Sequence, residues 1–227
     1  MAASKNWQYG LCLAWIIIGA VGQCEAADWE LRVRDDAADI QIYTRTNERG
    51  YPEFRGVTRI KSRLSAFVAL LRDVDAMPNW VYRAKEVRTL AMVSDTEVYA
   101  YTINTLPIPL DDRDSVVRST LTQDDRTLVV TIRGSAVPNY LPKDARYVRM
   151  QIVESSWTFT PLGAGTVEVV FQGFGDPGGN LSAGLLAWFV QLSISEAPYN
   201  TLLQMRRILP RPEYQSAKYG FIREVGQ

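Results

Sequence analysis

The sequence predicts an α+β fold: a curved antiparallel sheet wrapped around one long C-terminal helix, with an internal hydrophobic cavity between them. Three observations carry this. Many segments alternate apolar and polar residues with period two, the pattern of half-buried strands. Only two segments show helical spacing, and the longer one comes last. The order of elements is strands, a short helix, a meander and a final helix, which argues α+β rather than repeated βαβ units.

The elements follow in order. Ile40 and Ile42 alternate with Gln41 and Tyr43, and Val57 lies among Arg55, Arg59 and Lys61. Ser65 is placed to cap a helix carrying Phe67, Leu70, Leu71 and Val74, which Met77-Pro78 ends. In the meander, Glu97, Tyr99, Tyr101 and Ile103 share one strand face, and Leu128, Val130 and Ile132 share another. Tyr147 to Phe159 reads as one long strand, and Val167, Val169 and Phe171 as the next. Turn signals stand at Asn47–Gly50, Asp124-Asp125 and Pro161–Gly165. The flexible Gly175–Gly179 stretch leads to the last helix, capped by Ser182. Leu185, Trp188, Phe189, Leu192, Ala197, Leu202 and Met205 give it a broad apolar surface, and Pro198 inside it predicts a kink or break. That helix is the only large amphipathic element available to cover the sheet.

Composition narrows the chemistry. Of 227 residues, 25 are Lys or Arg and 25 are Asp or Glu, so no net field favours nucleic acid or an anionic surface. The absence of histidine removes Ser-His-Asp and Cys-His catalysis and histidine metal sites. No metal or cofactor is expected.

At the N-terminus, a polar stretch with one lysine precedes the apolar run Leu11 to Val21, and Ala26 and Ala27 stand just before Asp28. That layout predicts a signal peptide over residues 1–27 and a single domain over 28–227, exported and most simply periplasmic; an uncleaved membrane anchor is the alternative. Cleavage there removes both cysteines, leaving a domain held by its core without a disulfide.

The most informative stretch is Leu106 to Ser119. A loop with Pro107 and Pro109 joins two strand-like runs, and Arg113-Asp114 opens the second. Together with Trp80 after the short helix, Val87 and Tyr99 in the next two strands, and the long last helix, this order resembles the START lipid-transfer domains over roughly Trp29 to Leu209. The resemblance implies a helix-grip fold around a hydrophobic tunnel for one lipid (a sterol, phospholipid or fatty acid), transient membrane contact, and no catalysis. It places Arg113 inside the cavity, paired with Asp95 or Glu97 from an earlier strand. It makes Leu106, Pro107, Ile108, Pro109 and Leu110, with the C-terminal helix, the gate. Candidate ligand contacts are Arg113, Asp95, Glu97, Tyr99, Tyr101, Leu185, Trp188, Phe189 and Leu192. A cyclase- or hydrolase-like enzyme and a lipid sensor stand as alternatives within the same superfamily.

Bland readings stand beside these. Arg113-Asp114 is otherwise a surface ion pair or a turn device. Trp80 is structural core. Tyr99 and Tyr101 either line the cavity or form an outer aromatic patch. Lys85, Glu86 and Arg88 are solvated strand charges.

Overall fold

The computed structural model describes residues 28–226 apart from Asn180. The signal-like segment and both cysteines lie outside these residues. Ten strands form a single sheet: β1 (Glu30–Asp35), β2 (Ile40–Thr46), β3 (Pro52–Lys61), β4 (Ala84–Ser94), β5 (Glu97–Asn104), β6 (Arg113–Gln123), β7 (Val130–Ala136), β8 (Val148–Arg149), β9 (Ile152–Gly163) and β10 (Thr166–Asp176). They run in the order β1-β2-β3-β10-β9-β7-β6-β5-β4, all antiparallel, while the two-residue β8 lies parallel to β6. A helix α1 (Leu64–Arg72) follows β3. The closing element comprises α2 (Ala183–Gln191), a π-helical segment (Leu192–Glu196) and α3 (Ala197–Ile208), and a short α4 (Pro212–Gln215) begins the C-terminal tail. The expected α+β architecture, a sheet wrapped around a long C-terminal helix, is therefore the one observed.

Period two on the strands separates the two faces. Ile42, Phe159, Val167 and Val169 point inward, where Phe67 and Leu70 of α1 and Leu202, Met205 and Ile208 of α3 complete the main core. Trp80 is 2 % exposed there and meets Trp157 edge-on, a structural role as expected. Gly56 is inward too, and α3 depends on it: a Cβ at that position would stand 2.7 Å from Leu202 Cδ1.

Four local expectations changed. Ser65 does not cap α1; its backbone N–H and that of Leu64 instead donate to the Glu224 carboxylate at 2.8 and 3.0 Å, so the tail supplies the cap. Leu128 adopts a left-handed φ of 59° in the turn before β7, and the strand begins at Val130. The long strand foreseen from Tyr147 divides into β8 and β9, because the chain after β7 crosses the outer face of the sheet first. Val137, Leu141 and Tyr147 pack there against Tyr101, Ile103 and Val116. Finally, the kink or break foreseen at Pro198 takes the form of a π-helical interruption of the closing helix over Leu192–Glu196. The helix widens just before the proline, with the Ala197 N–H reaching Leu192 O. A proline supplies no N–H to the ladder and its ring displaces the carbonyl four residues back, here Ile194, so the turn accommodates it by loosening. The Ser182 hydroxyl caps α2 as foreseen, accepting from the Leu185 N–H at 3.4 Å.

Candidate functional site

The core occupies the half of the sheet under α3. Under α2 and the π-helical segment it gives way to a cavity of about 250 Å³. Phe189, Leu192 and Ile194 form its helical wall, and Phe54, Phe171 and Phe174 form much of its sheet wall. Gly173 lies flush in that wall, where a Cβ would stand 2.7 Å from the Glu154 carbonyl oxygen.

Arg113 is the first residue of β6, and its side chain reaches this cavity while being only 2 % exposed. Its Nε donates to Pro177 O at 3.2 Å and its Nη1 to Asp111 O. Burial pushes the guanidinium below its ordinary value, opposed by the nearby Asp111 and Asp112 charges. Ser115, two residues on, shares the inner face, and Asn104 faces Arg113 from β5 in the strand register. Arg83 borders the cavity as well, from a left-handed backbone conformation with φ of 61°.

The expected acidic partner of Arg113 is not found at either foreseen position. Asp95 is exposed in the β4–β5 turn. Glu97 accepts from Arg118 Nε at 2.8 Å, and this bond holds its carboxyl below the usual range. Both border a second, smaller cavity of about 150 Å³ under α1, which shares only Ser155 with the first among the described residues. The error has a simple origin: β5 pairs antiparallel with β6 so that Asn104, not Glu97, is opposite Arg113.

Tyr99 and Tyr101 are on the outer face and line neither cavity. Tyr99 stacks on Tyr140 with centroids 4.7 Å apart. Tyr101 is buried, and its hydroxyl donates to Asp114 Oδ2 at 3.0 Å. Asp114 is itself fully buried and receives Arg149 Nε at 3.0 Å and Nη2 at 2.8 Å. The Arg-Asp pair thus divides between faces: Arg113 goes to the cavity, and Asp114 goes to a buried ion pair that sequence reasoning missed. The alternation of a strand implies this division; nothing in the sequence marked Arg149.

On the closing helix, Phe189 and Leu192 are cavity residues. Trp188 is 38 % exposed because one residue of helix turns it about 100° from Phe189. Leu185, one turn nearer the helix start, is half-buried outside the cavity wall. In the loop, Leu106 touches the cavity, Leu110 is buried, and Pro109 and Ile108 face solvent, Ile108 at 94 % exposure. Pro107 is half-buried. Asp112 ties the loop base, accepting from the Leu106 N–H at 3.3 Å and from Lys85 Nζ at 3.0 Å, so Lys85 is part of this anchor rather than a free strand charge.

The comparisons with known proteins agree with this geometry. The model of the START domain matches residues 22–205. An uncharacterized protein of Pseudomonas aeruginosa is 28 % identical over 195 residues, spanning 86 % of this chain and 93 % of its own. The crystal structure of a STAR-related lipid transfer protein from Xanthomonas axonopodis is 33 % identical, covers 81 % of this chain and 99 % of its own, and superposes with a TM-score of 0.71. Human StAR-related lipid transfer protein 5 shares the fold at 14 % identity, with a TM-score of 0.66 over 79 % of this chain and 86 % of its own. The family-model match over residues 22–205 and the 33 % identical Xanthomonas structure, with a curved sheet closed on a cavity by the last helix, place this chain in the START domain family.

Proposed function

We propose that this protein binds one hydrophobic lipid in the cavity beneath α2 and carries it between membranes without chemical change, the loop Leu106–Asp112 and the closing helix acting as the gate. The observation that carries the reading is the cavity itself: a mainly apolar space with one buried guanidinium on its wall and a helix as its lid. Each methylene moved from water into such a space contributes about 0.8 kcal/mol, so a single acyl chain or sterol skeleton is held chiefly by its own apolar surface. Family membership and the likeness to the Xanthomonas lipid transfer protein support it.

The gate follows from how unevenly the lid is held. Leu202, Met205 and Ile208 fix α3 in the main core, whereas α2 leaves Leu186 and Trp188 exposed. Displacing α2 and the facing loop opens the cavity without unfolding the sheet. The signal-like residues 1–27 support an exported location for this activity.

The test is direct. Native mass spectrometry of the purified protein is expected to show one bound lipid, and fluorescent lipid is expected to move from donor to acceptor vesicles when the protein is added. A protein that stays empty after incubation with vesicles would sink the proposal.

A further inference from the structure

The cavity is apolar along most of its wall and cationic at one end. Arg113 and Arg83 both border that end, beside Asn104, Thr105 and Ser115. Arg113 is buried, and Arg83 is half-buried with its guanidinium over the Tyr82 ring at 5.1 Å; a buried arginine without an anion is costly, so what surrounds them is informative. Arg113 makes no ion pair among the described residues, and only its Nε and Nη1 find protein acceptors, both of them backbone carbonyls. Arg83 has a buried Nε with no partner. Its position is fixed by its backbone, since its carbonyl accepts from the Thr105 N–H at 2.9 Å and from its hydroxyl at 3.3 Å.

The nearby carboxylates are engaged elsewhere. Asp112 holds Lys85 at 3.0 Å, and Asp114 is on the opposite face with Arg149. Glu154 borders the cavity, but its carboxylate is turned to the outer face, where it accepts from Ser135 Oγ at 2.7 Å. Asp111 is exposed and offers Arg113 its carbonyl.

We infer that the ligand is a lipid with an anionic headgroup, a carboxylate or a phosphate, that docks between Arg113 and Arg83 with its chain along the aromatic wall. This rests on the lipid-binding reading above and narrows it. A sterol or alcohol hydroxyl can accept a hydrogen bond there, but it leaves both guanidinium groups without a carboxylate or phosphate partner at hydrogen-bond distance. An anionic headgroup supplies the missing charge and acceptors for the unused N–H groups at once.

The experiment uses the full-length protein, stripped of lipid, and four probes: hexadecanoic acid, hexadecyl phosphate, hexadecan-1-ol and cholesterol. Affinities are read by native mass spectrometry and calorimetry. The two anions are expected to bind roughly tenfold or more tighter than the alcohol of equal chain length, as charge-assisted hydrogen bonds would give. The order of carboxylate and phosphate identifies the headgroup source. Arg113→Met and Arg83→Met should each erode that preference while leaving the alcohol within about twofold. Arg113→Lys, which keeps the charge if the Met variant folds poorly, should retain most of it. Alcohol or sterol binding as tightly as the anions overturns the inference while leaving lipid binding intact, as does a preference that survives both Met substitutions. Failure of all four probes to bind overturns both readings.

Discussion

Asp114→Asn tests the outer half of the Arg-Asp pair. Asp114 is fully buried and Arg149 is 6 % exposed. Their side chains meet through two hydrogen bonds of 3.0 and 2.8 Å, and Tyr101 adds a third to the same carboxylate at 3.0 Å. Neutralising the aspartate leaves the Arg149 cation in place, because its Nη1 still donates to Pro138 O at 2.7 Å and Leu141 O at 3.1 Å and its Nη2 to Pro142 O at 3.3 Å. The result is an uncompensated buried charge, whose cost is about 3–5 kcal/mol. For a chain of this size that corresponds to a fall in Tm of roughly 6–20 °C. The assay is urea and thermal unfolding of lipid-free protein, since bound ligand adds its own stabilisation. A double-mutant cycle with Arg149→Met should show coupling of about 2 kcal/mol. A loss below about 1 kcal/mol for Asp114→Asn, typical of exposed pairs, would refute the reasoning and restore the surface-ion-pair reading.

Three further outcomes are expected. Gly173→Ala places a Cβ 2.7 Å from Glu154 O and 3.3 Å from Ser155 Cα, both backbone atoms that cannot swing away, so it should cost about 1–3 kcal/mol in urea unfolding and reduce ligand capacity; unchanged values for both would contradict the close packing of β9 on β10. Glu224→Ala should remove about 1 kcal/mol through the start of α1, with amide exchange rising at Leu64 and Ser65 first; protection unchanged there would rule out capping by the tail. Tyr101 and Tyr214 are each pushed from 10.0 up to about 12, chiefly by burial and next by the hydrogen bonds to Asp114 and Asp73. A phenol raised in the folded state contributes stability that is complete below pH 10 and lost as pH climbs through about 12, so unfolding midpoints should fall steeply in that window. Native phenolate absorbance in which all tyrosines titrate together near 10 would contradict this.

Much of this architecture was legible in the sequence because alternation and helical spacing report which surfaces are buried. Ile40 with Ile42, and Val167 with Val169, are inward residues of one sheet, and the Ser182 cap and the long final helix stand where their signals placed them. Arg113 was legible as a cavity residue through the family resemblance, and Phe189 and Leu192 through helical spacing as well. What stayed hidden depends on long-range pairing. The register that sets Asn104 rather than Glu97 against Arg113 is decided by how β5 meets β6, which no local pattern encodes. The face that Tyr101 takes depends on whether anything covers the back of the sheet, and the covering segment around Leu141 has no regular pattern of its own. Arg83 bears no local mark either; its left-handed backbone is visible only once the turn into β4 is folded. The tail past Leu209 carries no regular pattern of its own, yet Ile222 is buried and Glu224 caps a helix some 160 residues earlier.

The π-helical segment divides one continuous helix into two parts under different constraints. Beyond it, Leu202, Met205 and Ile208 belong to the residues on which folding depends; before it, Phe189 belongs to the cavity wall and to no part of the main core. Mutations in α2 can therefore reshape what the cavity accepts at little cost to the folded state, while mutations in α3 are filtered by stability. Diversification of specificity is thereby uncoupled from foldability within a single element, and descendants of this chain can explore new ligands by drift on one side of Leu192 alone.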